Sequence, residues 1–316
     1  MKKLLPLLLV LTLIACGPRK PKQTPVSRYR EFPMTEIPMA ISDPLERACW
    51  LAEHYWDRYT APDSLYYCDS VTVSGVPKEK LEQQMGVFAT LLREIPLDAG
   101  VNAMDAFFQR LETFQKAHPE GNVFSELTQL THHYFYDPNS PLRNEDLYRP
   151  FVYGMSLSEC VSPGMRQAYA HDAQMCALNA VGTRAADFTF IDTKGRKRTL
   201  YSLKADIILL IFGNPDCTAC RELMESMSES AELMECITSG QLLVVDIYID
   251  EDLDAWKAHQ DQYPKEWING YDPNFIIRTD RIYNVRAVPS LYLLDRDKTV
   301  LLKDAQAEDI LDALSY

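Results

Sequence analysis

A Cys-x-x-Cys pair stands between a buried-strand pattern and a helix pattern, and this order constrains what the chain can fold into. Cys217 and Cys220 follow a short apolar run at 206–212 and a break at 213–216, and residues 221–236 have helical periodicity. We therefore expect Cys217 at or just before a helix N-terminus, where free amides and the helix dipole favour a thiolate. Because Cys220 lies one turn further on, it can close a disulfide with Cys217. The pattern predicts a two-electron thiol–disulfide switch.

The same pair has two other interpretations, half of a zinc site or an inert structural bridge. Zinc needs further ligands at matching spacing, and the chain has no second Cys-x-x-Cys and no His-x3-His. The strand–turn–helix context favours a redox pair, and we expect no metal and no cofactor. Five other cysteines, an odd number, can form bridges in an oxidising compartment or act as buried apolar thiols. The candidate bridges are Cys49–Cys68 and Cys160–Cys176, and Cys236 is left over.

The N-terminus predicts export and a lipid anchor. Two lysines precede an apolar run at 4–14 that is too short to span a bilayer, which is typical of a signal peptide over residues 1–15. The run ends in Leu13-Ile14-Ala15-Cys16, which resembles a bacterial lipobox and implies lipidation of Cys16. An ordinary signal peptide with a chance cysteine is the alternative. Residues 16–40 form a proline-rich tether.

The residues after the predicted lipid anchor bear on location and partners. Gly17 follows Cys16, and no acidic run comes after it, which favours the outer membrane facing the periplasm over the inner membrane or the cell surface. The formal net charge of −13 makes nucleic acid an unsuitable partner.

The rest of the chain divides into two halves with different periodicity. Residues 41–178 have helical stripes rich in aromatic residues, which predict an all-α bundle of about six helices with the aromatics in its core. Ser42 is the expected cap of the first helix, with Pro44 in its first turn. Residues 180–316 alternate between strands and helices, with hairpins near 188–201 and 290–303. The predicted fold class is α + α/β, a bundle followed by a mixed central sheet covered on both faces.

This order of elements in residues 180–316 resembles the thioredoxin fold. Residues 283–295 are similar to the loop and strand that hold the cis-proline of that fold, and residues 182–188 resemble the first strand of TlpA-like (AhpC-TSA-like) thiol–disulfide oxidoreductases. Residues 48–56 and 136–148 resemble an uncharacterised domain that precedes thioredoxin-like domains in bacterial lipoproteins. That second resemblance implies an architecture and no activity.

The resemblance implies a role for each site residue. Cys217 would be the attacking thiol and Cys220 the resolving thiol, and Pro289 would be cis and pack against the pair. Val288 would present its carbonyl and amide to a substrate peptide strand. The partners would be a protein disulfide substrate, an upstream thiol reductant and the membrane that holds the lipid anchor. The substrate would be reduced through a mixed disulfide.

Two departures from the family pattern affect the first thiol. Asp216 precedes Cys217 where the family usually has Trp, and an adjacent carboxylate disfavours a thiolate. We therefore expect a reductant, because a costly thiolate favours the disulfide form. Arg221 can offset the charge of Asp216 or simply be solvated.

Two further departures affect the second thiol. Ile211 stands where thioredoxins bury an acid, and Leu223 stands where the family has Glu, with Glu222 one residue early. Proton transfer to and from Cys220 is therefore expected to lack its usual assistant.

Two other functions remain as alternatives, and the departures favour the first of them. One is a non-catalytic binding or scaffold lipoprotein in which the Cys217–Cys220 bridge is structural. The other is a thiol peroxidase, which needs Thr or Ser three residues before the reactive cysteine, where Asn214 stands. The sequence does not indicate a natural substrate or a role for the helical half.

Overall fold

The computed structural model describes residues 29–61, 66 and 69–315. The predicted signal peptide, Cys16, the first part of the tether and Cys68 lie outside the described residues. In the part that the structure describes, no helix has the length and apolar character needed to cross a membrane.

The N-terminal half of the described chain is helical, as predicted. Its helices are α1 (Pro44–His54), α2 (Lys78–Arg93), α3 (Leu97–Ala117), α4 (Val123–Phe135), α5 (Glu145–Leu157) and α6 (Pro163–Ala177). A short hairpin of β1 (Thr72–Val73) and β2 (Val76–Pro77) precedes α2. The cap expected at Ser42 is wrong by one residue. Pro44 is the first helical residue, so Asp43 is the N-cap, and its carboxylate accepts from the amide of Glu46.

The aromatic stripes form the core of the helical domain, which confirms their interpretation. Trp56 stacks against Phe107 with ring centroids 5.0 Å apart, and Phe107 against Phe151 at 5.6 Å. All three are at most 1% exposed. Burying a side chain of this size contributes roughly 1.5–3 kcal/mol, so this cluster contributes several such increments to the domain's stability.

The C-terminal half is a mixed sheet that packs against helices. Its strands are β3 (Thr189–Asp192), β4 (Lys197–Thr199), β5 (Ile207–Gly213), β6 (Leu242–Tyr248), β7 (Ile268–Tyr271), β8 (Ser290–Asp295) and β9 (Val300–Lys303). They are ordered β4-β3-β7-β6-β5-β8-β9. The pairs β5–β6 and β6–β7 are parallel, and the other pairs are antiparallel. The expected mixed sheet is confirmed.

Two features of this half differ from the sequence prediction. The helix expected over 221–236 is two helices, α7 (Thr218–Glu229) and α8 (Ala231–Thr238). Ser230 ends the first and caps the second, since its hydroxyl accepts from the amide of Leu233. Strand β7 was not predicted. The remaining helices are α9 (Leu253–Ala258), α10 (Ile276–Thr279) and α11 (Ala307–Leu314).

Strand β5 is the centre of this half. Ile208, Leu210 and Phe212 face one hydrophobic cluster, and Leu209 and Ile211 face the other. The second cluster includes residues of α7, α8 and α11. Because β5 is covered on both faces and paired on both edges, its C-terminal end is a rigid base for the loop that carries the cysteines.

Gly154 of α5 tests how tightly the helical core is packed. A Cβ there would lie 2.3 Å from the buried ring of Phe108. We expect Gly154→Ala to lower the free energy of unfolding by about 1–3 kcal/mol, measured by urea denaturation. Gly164→Ala is the matched control, because a Cβ in that helix would meet no atom within 4 Å. The control is expected to gain about 0.5–1 kcal/mol. Equal effects of the two changes would contradict the packing described here.

Candidate active site

The first cysteine lies where the predicted pattern places it. Strand β5 ends at Gly213, and helix α7 begins at Thr218 with Cys217 as its N-cap. The sulfur of Cys217 accepts a hydrogen bond from the backbone amide of Cys220 at 3.4 Å. Cys217 is half-buried. The helix N-terminus therefore offers its sulfur one amide and the positive end of the dipole while leaving it accessible.

The cis-proline loop meets the cysteines from the other side. The Val288–Pro289 peptide bond is cis, as the resemblance implied. The thiol of Cys217 donates to the carbonyl oxygen of Val288 at 3.5 Å. This contact follows from strand pairing, since Phe212 at the end of β5 is the register partner of Ser290 at the start of β8.

The two thiols differ in their surroundings. Both are free in the structure, and Cys220 is one turn inside α7. Burial raises the pKa of the Cys220 thiol, and its contact with Cys217 raises it further. Cys217 is therefore suited to attack, and Cys220 keeps its proton until a base removes it.

The loop around Cys217 is braced by neighbours that the sequence assigned to other roles. Arg221 donates to the carbonyl of Pro215 at 2.9 Å and to the hydroxyl of Thr218 at 3.2 Å, so it anchors the loop. Asn214 donates to a carboxylate oxygen of Asp250 at 2.5 Å.

The carboxylate of Asp216 points into solvent. Its side chain is 62% exposed, and one oxygen lies 3.7 Å from Nε2 of His259. Solvent screens a charge at such a position, so its penalty on a neighbouring thiolate is small.

A buried acid lies beside the cysteines, and the expectation that the site lacks one is wrong. Asp246 of β6 is the register partner of Ile211, so its carboxyl lies on the same face of the sheet, one strand away from the expected position. It is 6% exposed, and its charge acts on Cys220. Burial raises the pKa of Asp246 to about 7. This carboxyl can exchange a proton near neutral pH.

The surroundings of Asp246 are polar on one side and close-packed on the other. Asn269 of β7 is its register partner, and Trp256 donates to the Asn269 side chain at 2.7 Å. The phenol of Tyr263 interacts with Asn269 and with the charge of Asp246. A Cβ on Gly213 would lie 3.1 Å from Asp246 Oδ2, so the glycine leaves room for the carboxyl. The only sequence signal for this residue is an acid in the middle of the apolar run at 242–249.

Four other cysteines lie in the part of the chain that the structure describes. Cys160 and Cys176 are both free thiols in the structure, so they do not form the bridge considered from the sequence. Cys49 and Cys236 are also free, and Cys176 is buried. Among the described residues, no group of three or more potential ligand side chains is arranged to hold a metal ion.

Comparisons with known proteins match the two halves of the chain to two different family models. The sequence model described as "Domain of unknown function (DUF5106)" matches residues 16–179, and the model described as "Thioredoxin-like" matches residues 205–300. The chain is similar to a thioredoxin-like protein from Bacteroides caccae, with 35% identity and a TM-score of 0.78. That match covers 90% of this chain and 98% of the other.

Other solved structures match the C-terminal half. The C-terminal domain of an uncharacterized protein from Bacteroides fragilis is 43% identical, with a TM-score of 0.44, over 44% of this chain and 100% of the other. The thioredoxin domain of a thiol-disulfide oxidoreductase from Bacteroides vulgatus is 19% identical, with a TM-score of 0.37, over 43% and 96%. No curated protein matches the chain.

The raised pKa of Asp246 predicts how stability depends on pH. The folded protein keeps a proton on Asp246 up to about pH 7, whereas the unfolded chain releases it near the ordinary value of 3.8. Asp246 therefore lowers stability as the pH rises between these values. We expect Asp246→Asn to be more stable than the wild type at pH 7.5, relative to pH 4.5, by roughly 2–4 kcal/mol in urea denaturation. The exposed Asp216→Asn is the control and is expected to keep the wild-type dependence. A constant difference between Asp246→Asn and wild type would contradict the assignment.

Proposed function

The chain belongs to the thioredoxin-like family and carries the domain of unknown function DUF5106 at its N-terminus, and from this premise we propose that it is a thiol–disulfide oxidoreductase. Its substrates would be protein disulfides, and Cys217 and Cys220 would be its redox centre. The observation that carries the proposal is the position of Cys217, at a helix N-cap, half-buried and 3.5 Å from the carbonyl of Val288. A cysteine in a purely structural disulfide needs neither solvent accessibility nor a neighbouring acid.

The first step is attack on the substrate. The Cys217 thiolate forms a bond to one substrate sulfur, the substrate S–S bond breaks, and the second substrate sulfur leaves as a thiolate that takes up a proton. A mixed disulfide joins Cys217 to the substrate. The helix N-terminus stabilises the attacking thiolate.

The second step releases the reduced substrate. Cys220 transfers its proton to the carboxylate of Asp246, and its sulfur attacks the sulfur of Cys217. The mixed disulfide breaks, the substrate sulfur leaves as a thiolate, and the Cys217–Cys220 disulfide remains. Two electrons have passed to the substrate, and an upstream thiol reductant would restore both protein thiols. Asp246 supports this step because its pKa of about 7 allows it to accept a proton at neutral pH.

The direction we propose is reductive. Strongly oxidising thiol–disulfide oxidoreductases have a high reduction potential because the thiolate of their reduced form is highly stabilised. Here the Cys217 sulfur accepts from one amide at 3.4 Å, and the guanidinium of Arg221 is engaged by Pro215 and Thr218. Beyond the helix N-terminus itself, these contacts add little to the stability of the Cys217 thiolate, which favours the disulfide form and a low reduction potential.

The proposed location is the periplasmic face of the outer membrane, through a lipid on Cys16. The support is the sequence Leu13-Ile14-Ala15-Cys16 after a short apolar run. In that compartment the partners would be exported proteins with disulfides and a membrane-linked thiol reductant. No nucleic-acid partner is proposed for a chain of net charge −13.

Redox titration of the form lacking residues 1–16 tests the function. In glutathione or dithiothreitol buffers, with alkylation and intact mass as readout, we expect the pair to titrate reversibly between about −200 and −280 mV. Cys220→Ala is expected to trap mixed disulfides, and Cys217→Ala to trap none. Cys236→Ala, outside the site, is the control and should titrate as wild type. A pair that stays oxidised below about −300 mV would instead be a structural bridge, which is the scaffold alternative.

The role of Asp246 is tested by the rate of the second step. We expect Asp246→Asn to slow release of the reduced substrate by about 10²-fold at pH 7, because Cys220 loses its proton acceptor. Attack by Cys217 is expected to stay within a factor of about two. In wild type the release rate should rise with pH and level off above about 7, whereas in the variant it should keep rising through neutral pH, because only solvent base then deprotonates Cys220. Stopped-flow single-turnover measurements give both rates, with Asp216→Asn as control. An identical pH profile in Asp246→Asn and wild type would exclude the role.

A further inference from the structure

The loop that carries the cis peptide is held by side chains of the helical domain. We define the cis-proline loop as residues 284–290, which lead into β8. Its side chains contact two acids, one on each side of the Val288–Pro289 bond. One acid, Glu145, belongs to the helical domain, and the other, Asp304, is itself bound by the helical domain.

Glu145 holds the first part of the loop. It is the first residue of α5, and its Oε1 accepts from Asn284 Nδ2 at 2.5 Å and from Arg286 Nε at 2.8 Å. Its Oε2 lies 2.8 Å from Nζ of Lys303. The Glu145 side chain is 1% exposed and that of Lys303 is 2% exposed. Charge-assisted hydrogen bonds that are shielded from water require good geometry. These contacts therefore fix the position of the loop relative to α5.

Asp304 holds the end of the loop. Its Oδ1 accepts from the hydroxyl of Ser290 at 3.0 Å. Its Oδ2 accepts from Arg286 at 3.1 Å and from Nε of Arg143 at 3.0 Å. Arg143 precedes α5 in the helical domain, and its side chain is 11% exposed. The residue directly after the cis-proline is therefore tied to the helical domain through one carboxylate.

A third contact fixes the orientation of the central arginine. The guanidinium of Arg286 lies 4.3 Å from the ring centroid of Tyr136, another residue of the helical domain. Arg286 is two residues before Val288, whose carbonyl contacts the Cys217 thiol. Movement of Arg286 would therefore move the backbone that faces the reactive sulfur.

We propose that the helical domain positions the cis-proline loop and thereby sets the affinity of this protein for its disulfide substrates. Glu145 and Arg143 are positioning residues, and they act through Asn284, Arg286 and Ser290. The inference rests on the proposed function, in which a substrate peptide strand docks against Val288. Because none of these residues touches either cysteine sulfur, the thiol chemistry is independent of them, and substrate binding is not.

Substrate kinetics test this division of roles. The probe is insulin, reduced in the presence of dithiothreitol by the protein lacking residues 1–16. We expect Glu145→Gln and Arg143→Gln to raise the KM for insulin by about tenfold, with kcat within a factor of about two. The reduction potential of the cysteine pair is expected to equal that of wild type in both variants. A generally destabilised protein would not separate KM from kcat and potential in this way.

A matched control comes from the same boundary between the two halves. Arg93 of α2 and Asp309 of α11 form an ion pair at 2.6 Å that does not involve the cis-proline loop. Asp309→Asn is expected to leave the KM at the wild-type value. An equal rise of KM in Asp309→Asn, or no rise in the two test variants, would overturn the inference. Arg143→Gln keeps the test valid if Glu145→Gln does not fold.

Hydrogen exchange separates failure of this inference from failure of the proposed function. We expect the backbone amides of residues 284–288 and of Ser290 to exchange about tenfold faster in Glu145→Gln and Arg143→Gln, and at the wild-type rate in Asp309→Asn. This readout needs no substrate. If wild type does not reduce insulin, the proposed function is wrong, while the exchange rates still decide whether the helical domain holds the loop. Unchanged exchange in both test variants would overturn the inference even if insulin is reduced normally.

Discussion

The pairing of β5 with β6 and β8 is the constraint on which the site depends. Both faces of β5 are buried, so a shift of register by one residue would turn its apolar side chains to the wrong clusters. With the register fixed, Phe212 lies opposite Ser290 and Ile211 lies opposite Asp246. These two pairings bring the cis peptide bond and the buried acid to the loop that carries Cys217.

The parts of the fold and site that could be predicted from the sequence are those whose patterns lie within one short stretch of the chain. The strand, the Cys-x-x-Cys pair and the helix are adjacent in the chain, and Val288–Pro289 was recognised from its own loop and strand. The parts that could not be predicted depend on partners distant in sequence. Strand β7 contains Asn269 and Gly270, which are typical of turns. It forms a strand because a glycine at 270 allows β3 to approach, and a Cβ there would lie 2.8 Å from the Ile191 carbonyl oxygen. Asp246 was missed because register, which one sequence does not reveal, decides which side chain faces Cys220.

Two buried carboxyls show how surroundings decide what an acid does. Burial raises the pKa of Asp246 to about 7, so this residue can exchange a proton with a neighbouring thiol. Glu145 is also buried, and burial raises its pKa too, but Arg286 and Lys303 each lie 2.8 Å from one of its oxygens and oppose that rise. Its charge is matched by cations and fixes geometry instead. A proton-transfer role therefore fits Asp246, and a positioning role fits Glu145.

The contacts between the halves also explain why neither half accounts for the whole site. The thioredoxin-like match ends at residue 300, before Lys303 and Asp304, and the match to DUF5106 ends at residue 179. The thiols, Asp246 and the cis peptide bond all lie within the thioredoxin-like match, so every group that we propose for the redox chemistry lies there. The charged side chains that fix the cis-proline loop come from both the helical domain and the thioredoxin-like half. In the function that we propose, substrate selection is therefore the property that depends on joining the two domains. It would give the helical domain a physical role at a site whose proposed reactive groups all lie in the other domain.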